Sequence, residues 1–121
     1  TMKFTIQGRL VGLNEYTKAN RTKSFIANKL KHDQEEIIAL YIKQHRLKPV
    51  TEYPVKLRIA WFEKDNKRDI DNVIFAKKFI LDALVKTGIL QNDTRQCVCG
   101  FEEIIETDKQ NPRIEIEIVK G

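Results

Sequence analysis

Residues 53–63, YPVKLRIAWFE, place Val55, Leu57, Ile59 and Trp61 on one side of an extended chain and Lys56 and Arg58 on the other, with Phe62 beside them. A period of two marks a strand with one buried face, and such a strand needs neighbours for its backbone and a cover for its apolar side. Three more segments supply neighbours. MKFTIQ (2–7) alternates, and CVCGFEEIIE (97–106) and RIEIEIVK (113–120) read as two strands joined by TDKQNP as a hairpin. Helices supply the cover. Ile37, Ile38, Leu40, Tyr41 and Leu47 recur at helical spacing, so a helix capped by Ser24 or Asn28 runs to about Arg46 before Pro49. A second helix spans about 71–86 and stops at Thr87-Gly88. Residues 8–24 mix Gly, Asn, Thr and four cations and read as a solvent-facing loop. The order βαβαββ predicts an α+β fold: a mixed sheet of about four strands packed with two main helices, one domain over residues 1–121.

A chain of 121 residues, 41% apolar, buries a core without staples. It has no apolar run of membrane-spanning length and no secretory pattern, so the expectation is a cytoplasmic protein with no membrane partner. Two cysteines fall short of a zinc set. Cys97 and Cys99 lie two apart in a strand and cannot easily bridge, so they read as reduced core or interface residues. His32 and His45 read as surface histidines. The charge is uneven: residues 1–50 carry ten Lys and Arg against four Asp and Glu, while the chain from Phe101 onward has three against six. A basic front half suits a polyanion, whose counterions are released on binding.

The chemistry concentrates in KRDIDNVIFAKKFILDAL, residues 67–84. In extended chain Asp69 and Asp71 project the same way, and two close carboxylates repel unless a cation sits between them. Mg²⁺ answers that need with one or two carboxylates, waters and phosphate oxygens. The plainer reading makes one aspartate a helix cap and leaves the other solvated. Lys67 and Arg68 either hold a phosphate or neutralise the acids. On a helical wheel Asp71, Lys78, Asp82 and Lys86 share one stripe, with Lys78 and Asp82 also readable as a surface pair. Lys77 falls in the apolar arc and either snorkels outward or lines a site or interface. That arc, Val73, Ala76, Ile80, Ala83 and Leu84 widened by Ile74, Leu81 and Val85, exceeds what one sheet face covers, which points to a partner surface and to self-association.

Asp69-Ile70-Asp71-Asn72, then Lys78 four residues ahead of Asp82-Ala83-Leu84, then Gly88 and Asn92-Asp93, resembles the RusA-type Holliday junction resolvases. The likeness extends to YPVKLRIAWFE and, faintly, to Asn14 and Tyr16. It implies a homodimeric, Mg²⁺-dependent endonuclease, with Mn²⁺ as a substitute and no organic cofactor, that nicks four-way DNA junctions symmetrically in recombination and repair. By position, Asp69, Asp71 and Asp93 are the implied metal carboxylates and Lys78 the catalytic amine. Against the spacing the resemblance implies, about three residues are inserted between Asp71 and the lysine, so Lys77 stays as the alternative. Lys78 is preferred because it returns to the face of Asp71 and leans toward the helix N-terminus. Asn14, Tyr16, Lys18, Arg21, Lys23, Lys29, Lys31, Lys67 and Arg68 are the expected DNA contacts, with Tyr16 stacking at an unpaired branch point. Taken alone, those cations read as a solvated loop and Asp93 as a turn residue.

Rival expectations are a non-catalytic DNA-binding module of a mobile element, a protein-interaction domain whose apolar helix meets a different chain, and a broader branched-DNA nuclease. Binding that survives EDTA without cleavage marks the first, and light scattering separates the second from a self-dimer.

Overall fold

In the computed structural model, which describes residues 2–121, the elements run β1 (Met2–Gln7), α1 (Leu13–Thr22), α2 (Ser24–Gln44), β2 (Val55–Glu63), α3 (Ile70–Ile74), α4 (Lys77–Lys86), β3 (Val98–Thr107) and β4 (Arg113–Lys120). The four strands form one mixed sheet in the order β1-β4-β2-β3. β4 is antiparallel to both β1 and β2, whereas β2 and β3 are parallel. The alternation predicts the buried face directly. Ile114, Ile116 and Ile118 sit between Phe4 and Ile6 on one side and Leu57, Ile59 and Trp61 on the other, and all are buried. Onto this face pack Ile38 and Ile42 of α2, Val73 of α3, and Phe79, Ile80, Ala83 and Leu84 of α4. The opposite face of the sheet is charged, with Arg58 pairing Glu102 at 2.7 Å.

Three expectations are corrected. The 97–106 and 113–120 strands form no hairpin: β2 lies between them, and the connection crosses its end, where the Asp108 N–H donates to the Glu63 carbonyl at 2.7 Å. Parallel pairing of β2 with β3 requires a crossover, which the helices between them provide. Cys97 stands in the turn before β3 and only Cys99 is in the strand; both are free thiols. The segment read as a loop over 8–24 contains α1, a polar helix that has no fully buried residue.

The helix expected over 71–86 is also broken, at Phe75–Ala76. The Lys78 and Phe79 N–H groups bond three residues back, to Phe75 and Ala76, which tightens the turn and rotates α4 relative to α3. Most of the broad apolar arc is covered from within the chain. Within the chain the core buries Val73, Ala76, Ile80, Ala83 and Leu84 and half-buries Ile74, Leu81 and Val85. The helix stop at Thr87-Gly88 is as expected: Gly88 has φ +80 and the Ile89 N–H reaches back to Leu84. α2 and α4 are clamped by charge. Lys86 hydrogen-bonds Glu35, which is 3% exposed, and that bond holds the lysine's pKa above its ordinary value. No helix among the described residues is long and apolar enough to cross a membrane.

Candidate active site

The strap that carries the acids is anchored from below. Glu63 continues the buried side of β2 past Trp61, and a buried carboxylate needs a partner. Arg68 provides it in a two-point fork, Nε to Oε1 at 2.7 Å and Nη2 to Oε2 at 2.8 Å, while its Nη1 donates to the Leu10 carbonyl at 3.1 Å. This guanidinium is therefore committed inside the protein rather than to phosphate. Next in the chain, Asp69 occupies the N-cap position of α3 without making a cap hydrogen bond. Asn72 then fastens the strap to α1. Its side-chain oxygen accepts the Asn14 N–H at 3.0 Å, and Gly12 lies so close that a Cβ there would meet this oxygen at 2.4 Å. Gly12 is the N-cap residue of α1 and has no side chain to cap with, so Asn72 supplies the missing acceptor.

Above this anchor runs a groove of about 450 Å³ between α3, α4, the 91–97 loop and β3. Asp71, Lys77, Lys78, Asp82, Asp93 and Phe101 line it, with Ile74, Phe75 and Leu81 contributing apolar surface. Asp71 arrives from α3, Lys78 from α4 and Asp93 from the loop beyond it. Asp69 is exposed and does not line the groove. Asp82 turns away from the expected pair with Lys78, to Lys31 of α2 at 3.3 Å.

The two adjacent lysines differ in what they do. Lys77 is half-buried and donates to Glu103 Oε2 at 2.9 Å, and the other oxygen of Glu103 accepts the indole N–H of buried Trp61 at 3.1 Å. Its ammonium also lies 4.6 Å from the centre of the Phe101 ring. Lys78 is exposed and makes no ion pair among the described residues.

The remaining expected DNA contacts divide in the same way. Lys18 and Arg21 line a shallow depression along α1 beside Asn14, and Lys67 is exposed. Lys23 lies 5.8 Å from the ring centre of Phe25 at the helix junction. Lys29 pairs with Asp33 at 2.9 Å and Lys31 bridges to Asp82. Tyr16 does not stand free for stacking: its ring packs 5.3 Å from Phe75 and 6.0 Å from Phe79. His32 and His45 are exposed, His32 pairing with Glu36.

No group of three or more His, Cys, Asp or Glu among the described residues is arranged to hold a metal. Asp71 and Asp93 on one groove nevertheless suit a hard divalent ion, since Mg²⁺ takes one or two carboxylates and completes its shell with water and phosphate rather than an all-protein cage.

Three residues that shape the site escaped the sequence reading, Glu63, Glu103 and Phe101, and the capping role of Asn72 was not foreseen although the motif contains it. Only Glu63 left a local signal, an acid at the next inward position of an alternating strand. No curated protein matches the chain. The family model described as endodeoxyribonuclease RusA matches residues 11–119, which include the groove and the strap that anchors it. The chain belongs to the RusA endodeoxyribonuclease family.

Proposed function

We propose that this chain is a Mg²⁺-dependent, structure-selective endonuclease that resolves four-way DNA junctions by paired symmetric nicks, working as a homodimer in DNA recombination and repair. The observation that carries the reading is the groove in which Asp71, Asp93 and Lys78, from three separate parts of the chain, meet on one surface. A divalent ion held there supplies Lewis acidity and a more acidic water for phosphodiester hydrolysis. The chain's own residues do the rest. Asp71 and Asp93 would bind the ion, and water and phosphate would complete its shell, Asp69 being exposed outside the groove. Lys78, whose ammonium has no partner among the described residues, is the amine that stabilises charge developing on the scissile phosphate. Lys77 is the weaker choice, because Glu103 already neutralises it.

Lys18, Arg21, Lys23 and Lys67 are the cations left to grip the DNA backbone. Lys18 and Arg21 stand on α1, whose N-terminus is capped by the same Asn72 that follows Asp71. Binding of an arm by α1 is thereby registered to the acids. Symmetric cuts call for a two-fold assembly that presents two such surfaces.

The test incubates the protein with a synthetic four-way junction and with linear duplex, with and without Mg²⁺, beside Asp71→Asn. The expected outcome is paired, junction-selective nicking that disappears in the variant while binding persists or tightens, because a carboxylate that repels phosphate is gone. Equal cutting by the variant removes Asp71 from the chemistry. Binding that survives EDTA with no cleavage under any metal makes the chain a DNA-binding module, and cutting of flaps as readily as junctions makes it a broader branched-DNA nuclease.

A further inference from the structure

The groove has a property that phosphodiester hydrolysis does not require. Carboxylates and lysines suffice to hold an ion and a phosphate, yet Ile74, Phe75, Leu81 and Phe101 give this groove an apolar floor and wall. Phe101 is the most telling of these. It lies on β3, opposite Leu57 and on the helix-facing side of the edge strand, and it remains 38% exposed. An exposed large apolar side chain beside a charged site is informative where scattered ones are not.

The ring is also held in place. The Lys77 ammonium sits 4.6 Å from its centre, Glu103 holds Lys77, and the buried indole of Trp61 holds Glu103. Trp61 is 2% exposed, so the chain of contacts ends in the rigid core. A flat, fixed aromatic surface beside two carboxylates fits one component of DNA in particular. Sugars and phosphates gain little from it, whereas an unstacked nucleobase gains a π-face to lie on.

We propose that Phe101 is the base-stacking surface of this site: it receives an unstacked base adjoining the cleaved phosphate, with Lys77 and Glu103 as positioning residues that fix the ring. The inference rests on the nuclease reading above and deepens it. It also moves the stacking role from Tyr16, whose ring is packed among Phe75 and Phe79, to a ring that lines the groove itself. Because every base offers a π-face, the contact selects an unpaired, flexible nucleotide rather than a particular sequence.

The experiment measures kcat/KM under Mg²⁺ for wild type, Phe101→Ala, Phe101→Leu and Phe101→Trp. The substrates are a four-way junction with all its bases and junctions with an abasic residue on the 5′ or the 3′ side of the cut. On the natural junction Phe101→Ala should lose roughly tenfold to a hundredfold, the worth of one base–aromatic stack. Phe101→Leu keeps apolar volume without a π-face and should fall with Ala, while Phe101→Trp should retain activity. On one abasic substrate wild type should drop to the level of Phe101→Ala, and the substitution should cost nothing further. The stacking role is overturned if Phe101→Ala cuts like wild type, or if it loses the same factor on natural and abasic junctions alike; the nuclease reading then stands. A wild type that cuts none of the substrates overturns the nuclease reading and this inference with it.

Discussion

The side-chain oxygen of Asn72 accepts the backbone N–H of Asn14 at 3.0 Å, across 58 positions of chain, so the residue after Asp71 caps the helix that carries Lys18 and Arg21. Gly12 begins α1 with no side-chain acceptor of its own. Asn72→Ala should therefore cost about 1 kcal/mol of stability, the usual worth of an N-cap, read from chemical denaturation. It should also loosen α1, so that KM for DNA rises more than kcat falls. A kcat loss with unchanged KM would instead place Asn72 in the chemistry.

Lys77 and Lys78 should separate cleanly by substitution. Lys78→Ala removes an unpaired ammonium from the groove and should lower kcat by about a hundredfold or more with the unfolding midpoint unchanged. Lys77→Ala leaves Glu103, whose side chain is 17% exposed, without its cation, and should cost about 1–3 kcal/mol of stability. Its effect on kcat should be the smaller of the two. Thermal unfolding beside single-turnover cleavage decides the matter, and a reversed pattern would make Lys77 the catalytic amine.

Arg68 looks like a DNA contact in sequence and behaves as a structural residue. Its side chain and that of Glu63 are 11% and 9% exposed, and the fork between them is two-pronged. Arg68→Ala strands a buried carboxylate and should cost about 3–5 kcal/mol. Arg68→Lys should rescue little, because one ammonium cannot reproduce the fork. Urea unfolding checks both. A stable Arg68→Ala with weakened DNA binding would return the residue to the interface.

Acid should erode the charged face of the sheet. The hydrogen bond from Arg58 holds the Glu102 carboxyl below its ordinary range, and the hydrogen bond from Arg113 does the same for Asp108. A carboxyl whose pKa is lower folded than unfolded adds stability above its unfolded value, and that contribution fades as pH falls through the folded value. The urea midpoint should hold from neutral pH to about pH 5 and decline below about pH 4. Glu102→Gln and Asp108→Asn should each flatten the decline, and added salt should reduce it, more for exposed Glu102 than for half-buried Asp108.

Much of the architecture was legible because burial imposes a period. Val55, Leu57, Ile59 and Trp61 announce a one-sided strand, Ile114, Ile116 and Ile118 another, and Gly88 a helix stop, all from neighbours in the chain. The Asp69-Ile70-Asp71 pair was visible locally, whereas Asp93 joined it only through the likeness to RusA-type resolvases, and the choice between two adjacent lysines stayed open.

Residue order alone settled the four strands, the long helix α2 and which side of each is apolar, because those depend on spacing within a few residues. Tertiary structure decided what depends on contacts between distant ones. β2 slipped between β3 and β4, where a short connection had suggested a hairpin. A helix without a buried residue formed around a cap supplied from 58 positions away. One tightened turn at Phe75–Ala76 placed Lys77 against Glu103 and left Lys78 unpaired. Hydrogen bonds and ion pairs reach only about 3–4 Å, so which charges are spent and which remain free is known only once the folded chain has chosen their neighbours.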